Sequence, residues 1–298
     1  MDFFFLLQLL IVGTIVGTLY GVVAMSFVLI YKASHVVNFA QGEFLLIGAW
    51  VCWWFLTEFQ LPFVFGFLFT LVFMMIFGML LQVLVLRPMI GEPVISVIMV
   101  TIGLSLFFQA LMKWIFGTTA EPFPPIFESR YVELFGIINI QSVYIMSIVV
   151  SGLIMLSFAW FFKYSRTGLA MRATAFDQQA AQSMGVSVKQ VFAMAWAISA
   201  MVSAVAGVVM GVVNGVSHAL AFIGIKVFPA VILGGLDSVV GAVIGGLIIG
   251  LLEAVSQFID VELGLGMNLY QVAPFYALII ILMFKPYGLF GTRDIERI

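Results

Sequence analysis

The chain has 298 residues, 64% of them hydrophobic and only 9% formally charged, with a net charge of −2. A soluble domain carries roughly 25% charged residues, and a chain of this size could not hide so much apolar surface in one core. A soluble globular protein is therefore excluded, and a bilayer, which is itself an apolar solvent, fits the composition. The only cysteine, Cys52, lies in an apolar run, so no internal disulfide can form; it reads as a small core or lipid-facing residue. His35 and His218 stand far apart with no second ligand at metal spacing, so no metal site is expected.

A full crossing needs about 20 apolar residues. In chain order the apolar segments run over 3–31, 43–56, 61–86, 94–116, 142–163, 190–214, 222–235 with 238–258, and 268–285. The start, Met1-Asp2-Phe3, has neither a positive n-region nor a small-residue cleavage site, so the first segment is expected to stay as a span. The fold class is thus all-α, a polytopic transmembrane bundle of about eight helices. Segments 43–56 and 222–235 are short and bounded by Gly, Pro or polar residues, the pattern of broken or re-entrant helices.

Short positively charged loops stay in the cytoplasm. With the N-terminus outside, nine of the twelve cations fall inside: Lys32, Arg87, Lys163, Arg166, Arg172, Lys189, Lys285, Arg293 and Arg297. The outer loops then hold Asp2, Glu58, Glu121, Glu128, Glu133, Asp260 and Glu262, and the C-terminus is cytoplasmic. The outer loop near 117–141 carries Pro122, Pro124 and Pro125, which end a helix; it reads as a connector or as a contact for an external partner.

Two segments carry small residues every fourth position. One is Gly13, Gly17 and Gly21; the other is Ser199, Ser203, Gly207, Gly211 and Gly215. At 3.6 residues per turn each set forms a groove along its helix, and tight helix packing explains it better than pore lining. Gly241, Gly245, Gly246 and Gly250 repeat the theme. Each stripe is followed by a polar-interrupted segment, which hints at a parallel internal repeat.

The most hydrophilic inward loop spans 165–187. Thr167 and Asp177 suit helix N-caps, and Gly185 suits a helix stop. Leu169, Ala173, Phe176, Ala180 and Met184 recur three or four apart, giving an apolar ridge edged by Arg172 and Asp177. The ridge reads either as an insert for a groove on a soluble partner or as an interfacial helix on lipid headgroups.

At this loop the chain resembles a known family. Arg166-Thr167-Gly168, Arg172-Ala173, Asp177, Ala180-Ala181 and Gly185 are similar to the coupling loop of ABC-importer permeases of the branched-chain amino acid family, the LivH-like permeases. Three further stretches agree in order: Asn38-Phe39-Ala40-Gln41-Gly42-Glu43, Val231-Ile232-Leu233-Gly234-Gly235 with Gly241 and Gly245-Gly246, and Lys285-Pro286-Tyr287-Gly288-Leu289-Phe290-Gly291. The resemblance implies one transmembrane permease domain over 1–298 with a cytoplasmic coupling loop at 164–188, in a bacterial cell inner membrane. It implies a second homologous permease subunit, with a heterodimer favoured, two cytoplasmic ATP-binding subunits and a periplasmic substrate-binding protein. It also implies that the binding protein does most of the selecting, and that related permeases carry amides or small carboxylates. Beyond these proteins the surroundings are membrane lipid, and no nucleic-acid partner is expected. The chain has no G-x-x-x-x-G-K-[ST] phosphate loop, so the permease is not expected to be an enzyme, and ATP and Mg would belong to the partner ATPases.

Ionisable residues at membrane depth are costly and therefore candidates for function. Glu43, with Asn38 and Gln41, reads either as a helix cap at the inner surface or as a polar turn lining the pathway. Glu253 and Lys226 lie in separate apolar runs where they can pair, and Asn214 and His218 flank the outer end of the second stripe, where either can line an external vestibule. The competing function is an ion-coupled secondary transporter of amino acids that uses Glu43 or Glu253 as its ion site.

Overall fold

In lipid a segment must satisfy its backbone hydrogen bonds internally, and within one segment only a helix does so. The computed structural model describes residues 3–126, 130–134 and 138–291. Among these the order is α1 (Phe3–Ser34), α2 (Gln41–Thr57), α3 (Phe63–Leu81), α4 (Val94–Phe116), β1 (Tyr131–Leu134), β2 (Ile138–Gln141), α5 (Ser142–Tyr164), α6 (Arg166–Phe176), α7 (Gln178–Ser183), α8 (Val188–Asn214), α9 (Leu220–Gly234), α10 (Val239–Glu262) and α11 (Leu269–Phe284). Six are long and apolar enough to cross a membrane: α1, α3 with its continuation to Met89, α4, α5, α8 and α10. The expected helical bundle is present, with α9 and α10 as separate helices and α2, α9 and α11 shorter than a full span. Asp2, Glu128, Arg293 and Arg297, which enter the charge argument, lie outside the described residues, as does the side chain of Glu133.

Two local features depart from the sequence reading. The connection between α4 and α5 contains a hairpin in which β1 and β2 pair antiparallel, with Tyr131 opposite Gln141 and Leu134 opposite Ile138. The β-branched, alternating residues that follow the three prolines suit a pleated ribbon. The second feature follows α3, where Gln82–Leu86 form a π turn: the Arg87 N–H reaches back five residues to the Gln82 carbonyl. Pro88 supplies a physical reason, since it lacks an N–H and its ring opposes the carbonyl four residues earlier.

The chain divides into two compact units. The first comprises 1–28, 129–152 and 226–298. Within it the glycines of α1 meet those of α10: a Cβ built on Gly13 would fall 2.5 Å from the Ala254 Cβ, one on Gly17 2.9 Å from the Leu247 Cα, and one on Gly246 2.5 Å from the Gly21 Cα. The backbones touch with no room for side chains, the close approach by which membrane helices gain van der Waals contact. The segment after α11 folds back, with Leu289 N–H donating to the Leu233 carbonyl (2.8 Å) and Phe290 N–H to that of Gly234 (3.1 Å).

The second unit comprises 29–128 and 153–225. Its core is α2 and α8, both buried along most of their length. Gly48 sits on Ala204, and Gly207 sits on the backbone of Leu45. Gly211 faces Phe123 and Val216 instead, each 3.3 Å from the position of a Cβ. Gly42 and Gly224 let the starts of α2 and α9 touch.

Candidate functional site

Residues 35–40 break the helix between α1 and α2, and the polar residues there turn inward. Asn38, Gln41 and Glu43 are all buried, Glu43 at 3% exposure. Asn38 Oδ1 accepts from the Ala40 N–H at 3.0 Å, shaping the turn that opens α2, and its Nδ2 donates to Gln41 Oε1 at 3.0 Å. Gln41 Nε2 donates in turn to the hydroxyls of Ser199 (2.9 Å) and Ser203 on α8. Ser105 on α4 donates to Glu43 Oε1 at 3.2 Å, while Glu43 Oε2 is buried with no partner. A polar seam thus joins α2, α4 and α8 inside an otherwise apolar core. Gln41 and Glu43 belong to the first turn of α2, whose N-cap residue, Ala40, makes no side-chain cap. Ser199 and Ser203, legible in the sequence only as small packing residues, are hydrogen-bond partners as well.

At its C-terminal end α8 closes on Asn214 with the side chain exposed, and Gly215 follows at φ +79°. His218 Nε2 lies 2.6 Å from the Gly117 carbonyl, and its ring lies 5.9 Å from that of Trp50. Glu121 and Val216 exchange two backbone hydrogen bonds, of 2.9 and 2.8 Å. Trp53 Nε1 donates to the Pro122 carbonyl at 3.1 Å. His218 therefore fastens the loop after α4 to the turn after α8.

The hydrophilic loop is a helix pair. Ser165, not Thr167, caps α6, its hydroxyl accepting from the Gly168 N–H at 2.8 Å. The helix begins two residues earlier than a Thr167 cap would place it, so Thr167 falls inside the first turn. Asp177 caps α7, accepting from Gln179 (2.8 Å) and Ala180 (2.9 Å). Gly185 ends the pair at φ +85°, a conformation glycine adopts without strain. A Cβ on Gly168 would fall 2.5 Å from the Phe162 carbonyl oxygen, so only glycine lets α6 fold onto the end of α5. Arg172 secures the same corner, donating to the carbonyls of Phe162 (2.6 Å) and Lys163 (3.1 Å), with its guanidinium 5.8 Å from the Phe162 ring centre. Met171, Thr174 and Ala181 face inward, whereas Leu169, Ala173, Phe176, Ala180 and Met184 all face out. Phe176 is 94% exposed and Met184 85%. Arg166 is exposed at the start of α6.

In the first unit, Lys226 of α9 and Glu253 of α10 form an ion pair at 3.2 Å, and the Tyr20 hydroxyl of α1 donates to Glu253 at 2.9 Å. Lys226 also lies 5.1 Å from the Tyr270 ring centre. Tyr20 gave no sequence signal, because a lone tyrosine in an apolar helix looks like packing.

The family model for the branched-chain amino acid transport system permease component matches residues 9–284. The chain belongs to this permease family. The permease is 30% identical, over 100% of its length and 99% of the relative's, to the high-affinity branched-chain amino acid transport system permease protein LivH of Escherichia coli K12. It is 28% identical to the corresponding BraD protein of Pseudomonas aeruginosa, covering 98% of each chain. It is 27% identical to a probable branched-chain amino acid transport permease protein LivH of Methanocaldococcus jannaschii, over 96% and 93%. Among solved structures, a chain of PsaBC from Streptococcus pneumoniae in complex with Fab aligns with a TM-score of 0.50 and 18% identity, covering 95% of the permease and 92% of that chain. That likeness concerns the fold alone. The permease is a multi-pass membrane protein.

Proposed function

We propose that the permease is the membrane subunit of an ABC importer for branched-chain or other hydrophobic amino acids, driven by two cytoplasmic ATPases that dock on α6 and α7. The observation that carries this is the asymmetry of the helix pair. One face is fastened to α5 through Gly168 and Arg172, and the other presents the exposed ridge of Leu169, Phe176 and Met184. A lipid-resting helix needs no rigid corner, whereas a part that transmits a push does.

In this reading the N-terminus lies outside, the cation-rich loops and the C-terminus lie in the cytoplasm, and the membrane is the bacterial inner membrane. A second, homologous permease subunit completes the pathway, and a periplasmic binding protein delivers substrate. ATP and Mg are bound by the ATPases and not by this chain. Asn38, Gln41 and Glu43 line the inner part of the pathway, and Asn214 faces the external vestibule. Access alternates as the ATPases close and open.

The test is uptake and ATP hydrolysis by the assembled transporter in proteoliposomes. Gly168→Val and Arg172→Ala should each lower leucine uptake roughly tenfold while hydrolysis continues. Uptake should also survive collapse of the ion gradients at high ATP. Uptake that persists without the ATPase subunits, or that vanishes with the ion gradient, would sink the proposal.

A further inference from the structure

The second unit contains a cavity of about 150 Å³ that none of the roles above uses. Its apolar walls include Leu86, Met89, Val97, Phe192 and Trp196, and its polar lining includes Ser34, Gln82, Glu92 and Gln178. We infer that it is a binding site for a free aliphatic amino acid on the side of the membrane that faces the ATPases. This rests on the proposed substrate class and orientation.

The decisive residue is Gln82. It is 1% exposed, it lines the cavity, and neither its amide oxygen nor its nitrogen has a hydrogen-bond partner. A buried amide left unsatisfied is costly and uncommon in a folded protein, and a ligand supplies what the protein does not. Gln82 also opens the π turn, a distortion that recurs at functional sites. An amide offers two donors and one acceptor, which match the carboxylate and the ammonium of one amino-acid head group. Glu92, exposed at the rim, adds a carboxylate for the ammonium. The apolar walls suit a small branched side chain, since engineered protein cavities of ~150 Å³ admit molecules the size of benzene.

Gln178 connects the site to the motor. It is the first residue of α7, directly after the Asp177 cap. An occupant touching Gln178, the π turn and Phe192 braces α7 against the end of α3 and against α8. Amino acid that has accumulated inside then slows further import.

The experiment uses the whole transporter in proteoliposomes, with ATPases and ATP on the luminal side and binding protein outside. Millimolar luminal leucine should slow the initial uptake of labelled leucine roughly five- to tenfold. Gln82→Leu should abolish that slowing without changing uptake into empty vesicles. Val97→Phe, which fills the cavity and leaves Gln82 in place, should do the same, so the test stands even where Gln82→Leu fails to assemble. Normal uptake with no slowing by luminal leucine overturns this inference alone. So does equal slowing in the wild type and Val97→Phe, or a cavity filled by lipid and indifferent to leucine. Absence of leucine uptake into empty vesicles overturns the substrate reading, and this inference with it.

Discussion

Gln41 ties together three polar groups inside an apolar core. Its amide accepts from Asn38 and donates to Ser199 and Ser203. Gln41→Leu preserves the bulk but removes the acceptor of the buried Asn38 amide and the donor to both hydroxyls. It should cost about 1–3 kcal/mol, read as a lowered Tm of the detergent-purified chain, and Gln41→Asn should not restore it because the shorter side chain falls short of α8. The sequence marked Asn38, Gln41 and Glu43 as unusual because polar side chains are rare in an apolar run. It could not mark Ser199 and Ser203 as their partners, since the pairs are more than 150 residues apart and serine in a glycine stripe already has a packing explanation. For the same reason Ser165 was hidden behind Thr167: two hydroxyl residues lie within one turn, and only backbone geometry decides which one caps.

Between helices, two kinds of joint hold the first unit: the glycine seam of α1 on α10, and the ionic joint of Lys226, Glu253 and Tyr20. Breaking a buried pair from one side leaves an uncompensated charge. Lys226→Met should therefore destabilise the protein by about 2–4 kcal/mol, toward the lower end because the lysine is partly exposed. The double substitution Lys226→Met with Glu253→Gln should recover most of the loss in thermal melts. If the double variant is no more stable than the single one, the pair is not what holds α9 to α10. The helices themselves were legible from apolar run length, and the glycine grooves from their spacing. Which groove meets which helix was not, because spacing describes one surface and packing requires two. The hairpin and the π turn were missed for a related reason: each is a local accommodation, of alternating residues and of Pro88, within a region already explained by a stronger signal.

At the level of the whole chain, the charge distribution carries the proposed topology. Cys52 is the sole cysteine and is buried, so Cys52→Ala gives a background for site-directed labelling. In intact cells an impermeant maleimide should label Thr119→Cys in the outer loop, and it should label Ser183→Cys in α7 only after permeabilisation; the opposite pattern would invert the proposed orientation. Family membership spans residues 9–284, so the resemblance is a property of the full bundle as well as of one motif. The fastening at the C-terminal end of α8 also has a mechanical meaning in the proposed transporter. The Glu121–Val216 bridge and the His218 contact anchor one end of α8, while α6 and α7 bear on the other. A rod pinned at one end turns about the pin. At 1.5 Å per residue, α8 is about 40 Å long, so a tilt of ~5° shifts its free end by roughly 3.5 Å and Ser199, near mid-length, by about half as much. In the proposed orientation and alternating-access reading, the helix works as a lever with its fulcrum at the outer end, giving a short stroke at the polar seam and almost none at the external rim.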